Sequence, residues 1–288
     1  KLHHLAACGM GLLLPAAVNA AVILNDSFND GGRTNGDDPA DAAWYRTWSE
    51  AAGLSIDSGA GFTNALRVDP REGNRGVVAV LPGSVSLGTQ VGDQLRFSFV
   101  TARFGSWVAH GSGFRFGLFH SGDTPITSDG STAGNDDVGL VVGHSSGTQG
   151  TSALFYNDSS VGLNGLGTEL AKNTTGQTYN LYSNSPVTRF VINLKRVETG
   201  VEITCYADLA ENLDPSDLTD HTPRISWTGT IMTPLTFNEV YIGVVDASID
   251  FRVDDIVVET LPVPEPSAMM FLGGTLLALG GRGLARSR

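Results

Sequence analysis

The stretch Thr188-Arg189-Phe190-Val191-Ile192-Asn193-Leu194-Lys195-Arg196-Val197-Glu198-Thr199-Gly200-Val201-Glu202-Ile203-Thr204-Cys205-Tyr206-Ala207 holds two apolar alternations joined by a glycine-bearing turn. Phe190, Ile192 and Leu194 share one parity before Glu198-Thr199-Gly200, and Val201, Ile203 and Cys205 share one after it. Successive side chains of a strand point to opposite faces, so each run buries one face, and the turn between them predicts an antiparallel hairpin. A helix would need apolar residues three and four apart, and no run between Val22 and Thr260 sustains that spacing.

Outward from this hairpin the pattern repeats. Phe97, Phe99 and Thr101 alternate with Arg96, Ser98 and Val100, and Phe114, Phe116 and Leu118 alternate with Arg115 and Gly117. Further strands are expected at 21–28, 76–81, 94–104, 113–120, 138–144, 153–156, 225–230, 239–246 and 249–259, which with the hairpin makes about eleven. The segment Asp208 to Pro223, with Asp214-Pro215-Ser216-Asp217, is expected to be a long loop with one helical turn. Glycine, at 36 residues, is abundant enough to turn many short strands. With no internal repeat or composition break, residues 21–261 are expected to form one all-β domain, a two-sheet antiparallel sandwich.

The charge balance excludes a class of function. Lys1, Arg282, Arg286, Arg288 and Glu265 lie in the end segments, leaving 14 basic against 29 acidic residues between Val22 and Pro262, a net of −15. That surface repels phosphate backbones, so nucleic acid is not an expected partner. Of two cysteines, Cys8 lies in the leader, and Cys205 has the parity of a strand core residue, so the body has no internal disulfide. A domain of about 240 residues buries enough apolar surface to stand without one.

The two ends are of another kind. Lys1 and two histidines precede an apolar stretch from Leu5 to Val18, and Val18-Asn19-Ala20 offers small residues for cleavage after Ala20, so 1–20 is expected to be a signal peptide with an apolar helix. Leu5-Ala6-Ala7-Cys8 resembles a lipobox, but the main apolar run follows the cysteine instead of preceding it. At the other end, Val263-Pro264-Glu265-Pro266-Ser267 precedes an uncharged, mostly apolar run from Ala268 to Gly281, and Arg282, Arg286 and Arg288 follow. Prolines 262, 264 and 266 forbid helix there, and terminal arginines hold an inserted segment on the cytoplasmic side. Residues 262–288 thus resemble the PEP-CTERM sorting domain of Gram-negative envelope proteins. That resemblance implies a short membrane helix, an exosortase-type enzyme acting near Pro264, Glu265 and Pro266, and a protein exported to the cell envelope or extracellular matrix. An ordinary anchor without a sorting enzyme is the alternative.

The body carries a second resemblance. Asn25-Asp26-Ser27-Phe28-Asn29-Asp30-Gly31 stands near its start, with Trp44 and Trp48 soon after, and Ile249-Asp250-Phe251-Arg252-Val253-Asp254-Asp255-Ile256-Val257-Val258 stands near its end. These are similar to the D-x-F first strand and F-x-x-D-D-I-x-V last strand of concanavalin A-like (laminin-G-like) jelly rolls. Many such domains bind glycans and some cleave them.

Catalytic signatures are wanting. An enzyme on such a fold would carry E-x-D-x-E on one strand, and Glu198, Glu202, Glu211 and Glu239 have no carboxylate partner at that spacing. His110, His120 and His144 show no zinc-ligand spacing, and no G-x-S-x-G elbow occurs. Gly162-Leu163-Asn164-Gly165-Leu166-Gly167 lacks the strand–helix context of a phosphate cradle. Aspartates 246, 250, 254 and 255 read as turn and surface residues or, in the sharper reading, as a structural calcium site of Asp250, Asp254 and Asp255 with Asp26 or Asp30 across paired terminal strands. Trp44, Tyr45, Trp48, Trp107, Tyr179 and Tyr182 lie in or beside polar loops and are the candidates to stack on sugar rings. The expected function is non-catalytic binding or organisation of extracellular polysaccharide; the alternatives are a glycan hydrolase or lyase and a purely structural surface protein.

Overall fold

The computed structural model describes residues 20–34, 40–48, 53–59, 61–69, 75–104, 113–122, 124–131, 133–144, 152–163, 165–173, 187–230, 235–244, 250–261 and 263. In chain order the strands are β1 (Ala21–Asp26), β2 (Trp44–Arg46), β3 (Leu54–Gly59), β4 (Phe62–Val68), β5 (Arg75–Ser86), β6 (Gln94–Phe104), β7 (Phe114–His120) and β8 (Val138–His144). They continue as β9 (Ser152–Asn157), β10 (Thr168–Asn173), β11 (Thr188–Val197), β12 (Gly200–Leu209), β13 (Ile225–Gly229), β14 (Thr236–Val244) and β15 (Asp250–Leu261). A 3-10 turn at Ala133–Asn135 is the one helical element among the described residues. The signal helix expected in 1–20 and the membrane helix expected in 262–288 fall outside them, Ala20 and Val263 excepted.

The strands form two antiparallel sheets packed face to face. One runs β13-β12-β11-β6-β15-β4-β3 with β1 also paired to β15, and the other runs β10-β9-β8-β7-β14-β5-β2. From β4 to β7, and again from β13 to β15, consecutive strands alternate between the sheets, the wrapping of a jelly roll. The hairpin β11–β12 pairs in unbroken register from Thr188↔Leu209 to Val197↔Gly200, as its sequence predicts. Alternation then puts Phe190, Ile192, Leu194, Val201, Ile203 and Cys205 in the core. Burial raises the Cys205 thiol to about 12, so it is an inert core residue.

Phenylalanines join the layers. Phe99 on β6 lies 5.1 Å from Phe116 on β7 at 75° and 5.5 Å from Phe190 on β11, and Phe114 meets Phe251 of β15 edge-on at 5.5 Å. Each such pair adds roughly 0.5–1.5 kcal/mol to what burial supplies.

Four strands are additional to the eleven expected. β2, β3 and β10 are sheet edges, short and half exposed, so their alternation is weak. β4 is interior, but Thr63, Asn64 and Arg67 dilute its apolar pattern. Segment 208–223 is a loop of hydrogen-bonded turns, in the first of which the N–H groups of Asn212 and Leu213 both donate to Leu209 O.

The last strand has a break that the fold requires. Against β6, Asp254 pairs with Val100 but Val257 pairs with Ser98, so β15 spends one extra residue there. Asp255, at φ 48°, sits in this bulge, and the Asp254 carboxylate accepts its N–H at 2.8 Å. Core positions therefore change parity, from Phe251 and Val253 to Ile256 and Val258. Deleting Asp255 should turn Ile256 and Val258 outward and abolish cooperative unfolding, whereas Asp255→Gly, which keeps the residue count, should shift stability by no more than about 1 kcal/mol. Thermal melts followed by circular dichroism decide this; a cooperative melt for the deletion would refute it.

Candidate functional site

The D-x-F pattern at the end of β1 turns out to be a structural lock. Asp26 Oδ1 accepts the N–H of Phe28 at 3.0 Å, and Trp44 Nε1–H donates to Asp26 Oδ2 at 2.6 Å. Phe28, at φ 52°, turns back to pack 6.1 Å from the Trp44 ring. Burial, reinforced by the neighbouring Asp41 carboxyl, raises Asp26 to about 8.

This arrangement corrects the expectation for Trp44. Its side chain is fully buried in the main core and offers no face to a sugar. Trp48 is also buried, and the Arg75 guanidinium covers its ring at 5.4 Å. Tyr45 is half-buried against the cluster on the outer face of the second sheet. Trp107, Tyr179 and Tyr182 lie outside the described residues, as do Asp246, Pro264, Glu265, Pro266, Arg282, Arg286 and Arg288.

The five aspartates of the calcium expectation are not gathered. Asp26 is taken by Phe28 and Trp44, while Asp30 caps its own turn by accepting the Gly32 N–H at 2.9 Å. Arg67 holds Asp250 at 2.6 Å, Arg189 reaches Asp255 at 3.3 Å, and Asp254 binds the backbone of the bulge. Pairing of β1 with β15 does put Asp26 opposite Ile256, close to the bulge, but Asp250 is the first residue of β15, six positions before Ile256. Among the described residues no three acidic, histidine or cysteine side chains could hold a metal ion. Asp26 is committed to Phe28 and Trp44 and Asp250 to Arg67, and the five carboxyls are not brought into one cluster that could surround the ion.

The outer face of the second sheet shows what the sequence did not. Cross-strand register aligns Gly76, Gly243, Arg115, Gly143 and Ala153 in one row, and Val78, Tyr241, Gly117, Val141 and Phe155 in the next. A Cβ at Gly76 or Gly243 would run into the Tyr241 ring, and one at Gly143 would crowd Phe155. Missing side chains in the first row thus let rings from the second lie down on the sheet. In the row beyond, Glu239 of β14 and Asp137 ahead of β8 are both fully buried. Glu239 Oε1 accepts the Ile126 N–H at 2.8 Å, and the two carboxyls face one another. Burial and the Glu239 charge raise Asp137 to about 9, so the pair shares a proton.

Paired carboxyls are the machinery of glycoside hydrolysis, but these two are sealed from solvent and can meet no substrate. Glu239 and Asp137 are about a hundred residues apart, so no local spacing signals them. Parity offers one hint, because Glu239 and Tyr241 share a face opposite to apolar Val240 and Ile242. His144 is likewise structural, its Nδ1 2.8 Å from Ser152 Oγ and its ring edge-on to Phe190.

These acids set a pH dependence. Asp26, Asp137 and Asp254 are raised by burial to about 8, 9 and 7 from an ordinary 3.8. A folded state that keeps these protons loses stability as pH rises above 3.8 through those values. Asp129, Asp158, Asp214 and Asp217 are lowered and oppose this only below 3.8. The melting temperature should therefore fall between pH 5 and pH 9, and Asp137→Asn, which cannot ionise, should flatten the alkaline part of the fall. A melting temperature that climbs over this range would overturn the assignment.

No family model matches the sequence, and no curated protein matches it significantly. Solved structures are similar at low identity. The Ca2+/Man3GlcNAc-bound exoplasmic/lumenal domain of VIP36 shows 16% identity and a TM-score of 0.48, over 78% of this chain and 86% of that one. The potassium-bound carbohydrate recognition domain of Emp46p gives 13% and 0.45, over 75% and 87%. Lectin I from Ulex europaeus, in complex with the methyl glycoside of α-L-fucose, gives 14% and 0.38, over 76% and 98%. At TM-scores below 0.5 these likenesses carry no functional weight.

Proposed function

We propose that this chain is exported, sorted to the envelope of a Gram-negative-type bacterium by its tail, and there displays the sandwich as a non-catalytic binder or organiser of extracellular polysaccharide. The observation that supports this reading is the placement of strand ends. Ala21 pairs with Thr260, so the body begins and finishes side by side at one end of the sandwich. β6 ends and β7 begins at the opposite end, as do β10 and β11, marked by the register partners Val244↔Phe114, Phe114↔His144, His144↔Ser152 and Ser152↔Asn173. The connection carrying Trp107 and the one carrying Tyr179 and Tyr182 therefore both depart from the end away from the tail. Both connections leave the sandwich at the end opposite to the one where β1 starts and β15 finishes, which suits a displayed binding module.

Charge narrows the ligand. A body of net −15 disfavours uronate- or sulfate-rich chains and favours neutral sugars, whose C–H faces stack on aromatic rings. The body 21–261 on an array of neutral and acidic glycans, with and without calcium, should bind neutral ones with weak salt dependence. Trp107→Ala, Tyr179→Ala and Tyr182→Ala should each weaken binding by roughly five- to thirty-fold, about 1–2 kcal/mol per lost ring, at an unchanged melting temperature. Silence across the array would sink the proposal.

A further inference from the structure

Past Leu261 the chain does not leave the body at once. Pro262 has no N–H, so the ladder between β15 and β6 cannot continue through it. Val263, the next residue with an amide, donates its N–H to Asp93 Oδ1 at 3.0 Å. Asp93 immediately precedes Gln94, the β6 partner of Leu261, so its side chain stands in for the missing rung. Its other oxygen accepts the Gln90 N–H at 2.8 Å, and only 6% of the residue is exposed.

The seat is built on both sides. Gly92 N–H donates to Arg196 O and Arg196 N–H donates to Asp93 O, each at 2.8 Å, which fastens the β5–β6 turn to the hairpin β11–β12. Gly92 has φ 101°, and a Cβ there would come within 2.6 Å of Val263 Cγ2, so glycine leaves the space in which the valine side chain lies.

We infer that Asp93 is a clamp that holds the chain to the body at Val263, the residue that directly precedes the Pro264-Glu265-Pro266 motif in sequence. Its biological meaning rests on the proposed sorting role of the tail, while its existence does not. An enzyme of the membrane that reads a proline-flanked glutamate would act on a motif whose preceding residue is anchored to the β5–β6 turn. Peptide bonds before Val263 are withheld, and any processed product keeps that residue.

Amide hydrogen exchange on the full chain in detergent tests the clamp. The Val263 amide should exchange about ten- to a hundredfold more slowly than in a peptide of residues 260–268. Asp93→Ala should bring it to the peptide rate while the amides of β6 and β11 stay protected, and Asp93→Asn, which keeps one acceptor oxygen, should restore part of the protection. In exporting cells, mass spectrometry of the processed protein should find C-termini only at or beyond Val263, with upstream ends appearing for Asp93→Ala. Equal Val263 exchange in the parent and in a folded Asp93→Ala protein would overturn the clamp. A tail left intact in both proteins would overturn the sorting role instead, and the exchange rates would still decide the clamp.

Discussion

Strand β15 is bordered by β6 on one edge and by β4 and then β1 on the other, so a single strand joins three others into one sheet. Its two halves meet neighbours whose registers differ by one residue. A uniform strand would bury one half and expose the apolar face of the other, because side chains alternate with period two. Asp254 and Asp255 absorb the mismatch, the first by accepting the N–H of the second, the second by taking a positive φ that aspartate tolerates better than most residues. From that point follow the seating of β1 and the Asp26–Trp44 lock that orders the segment after it.

The acidic character of the chain is handled in two ways. On the first sheet carboxylates meet arginines: Glu259 with Arg96, Asp57 with Arg252, and Asp250 with Arg67. Removing one partner of such a half-buried pair would leave the other charge uncompensated, which makes these pairs hard to alter singly. Elsewhere acids are kept protonated by burial, as at Asp26 and Asp137. The self-repulsion of the body near neutrality is smaller than its formal charge states, since part of that charge is absent.

Much of the architecture was legible in the chain because strand parity is a local signal. The hairpin of residues 188–207, the phenylalanine alternations of β6 and β7, and the core position of Cys205 follow from counting by twos. The bulge was not legible, because Ile256, Val257 and Val258 are all apolar and leave the change of parity ambiguous. The edge strands β2, β3 and β10 were not legible, since water on one side removes the demand for apolar residues. Side-chain fates were less legible still. No alternation marks the residues around Trp44 and Trp48, and it is the pairing of β2 with β5 that carries Trp44 inward. The Asp137–Glu239 pair depends on strands far apart in the chain, and the Asp93–Val263 contact on a turn meeting the end of the last strand.

The pairing of Ala21 with Thr260 has a kinetic side. The first strand has to wait for the last, so the eight-stranded sheet cannot close until almost the whole body has been made. Loop closure over such a span is slow, as for sheet proteins dominated by distant contacts. A chain interrupted before Asp250 would leave β1, β4 and β6 with bare edges and the phenylalanine cluster without Phe251, a species prone to pair with its copies. The strand made last is therefore the one that closes the sheet, and a chain shortened by that element loses the edge partners of three others with it.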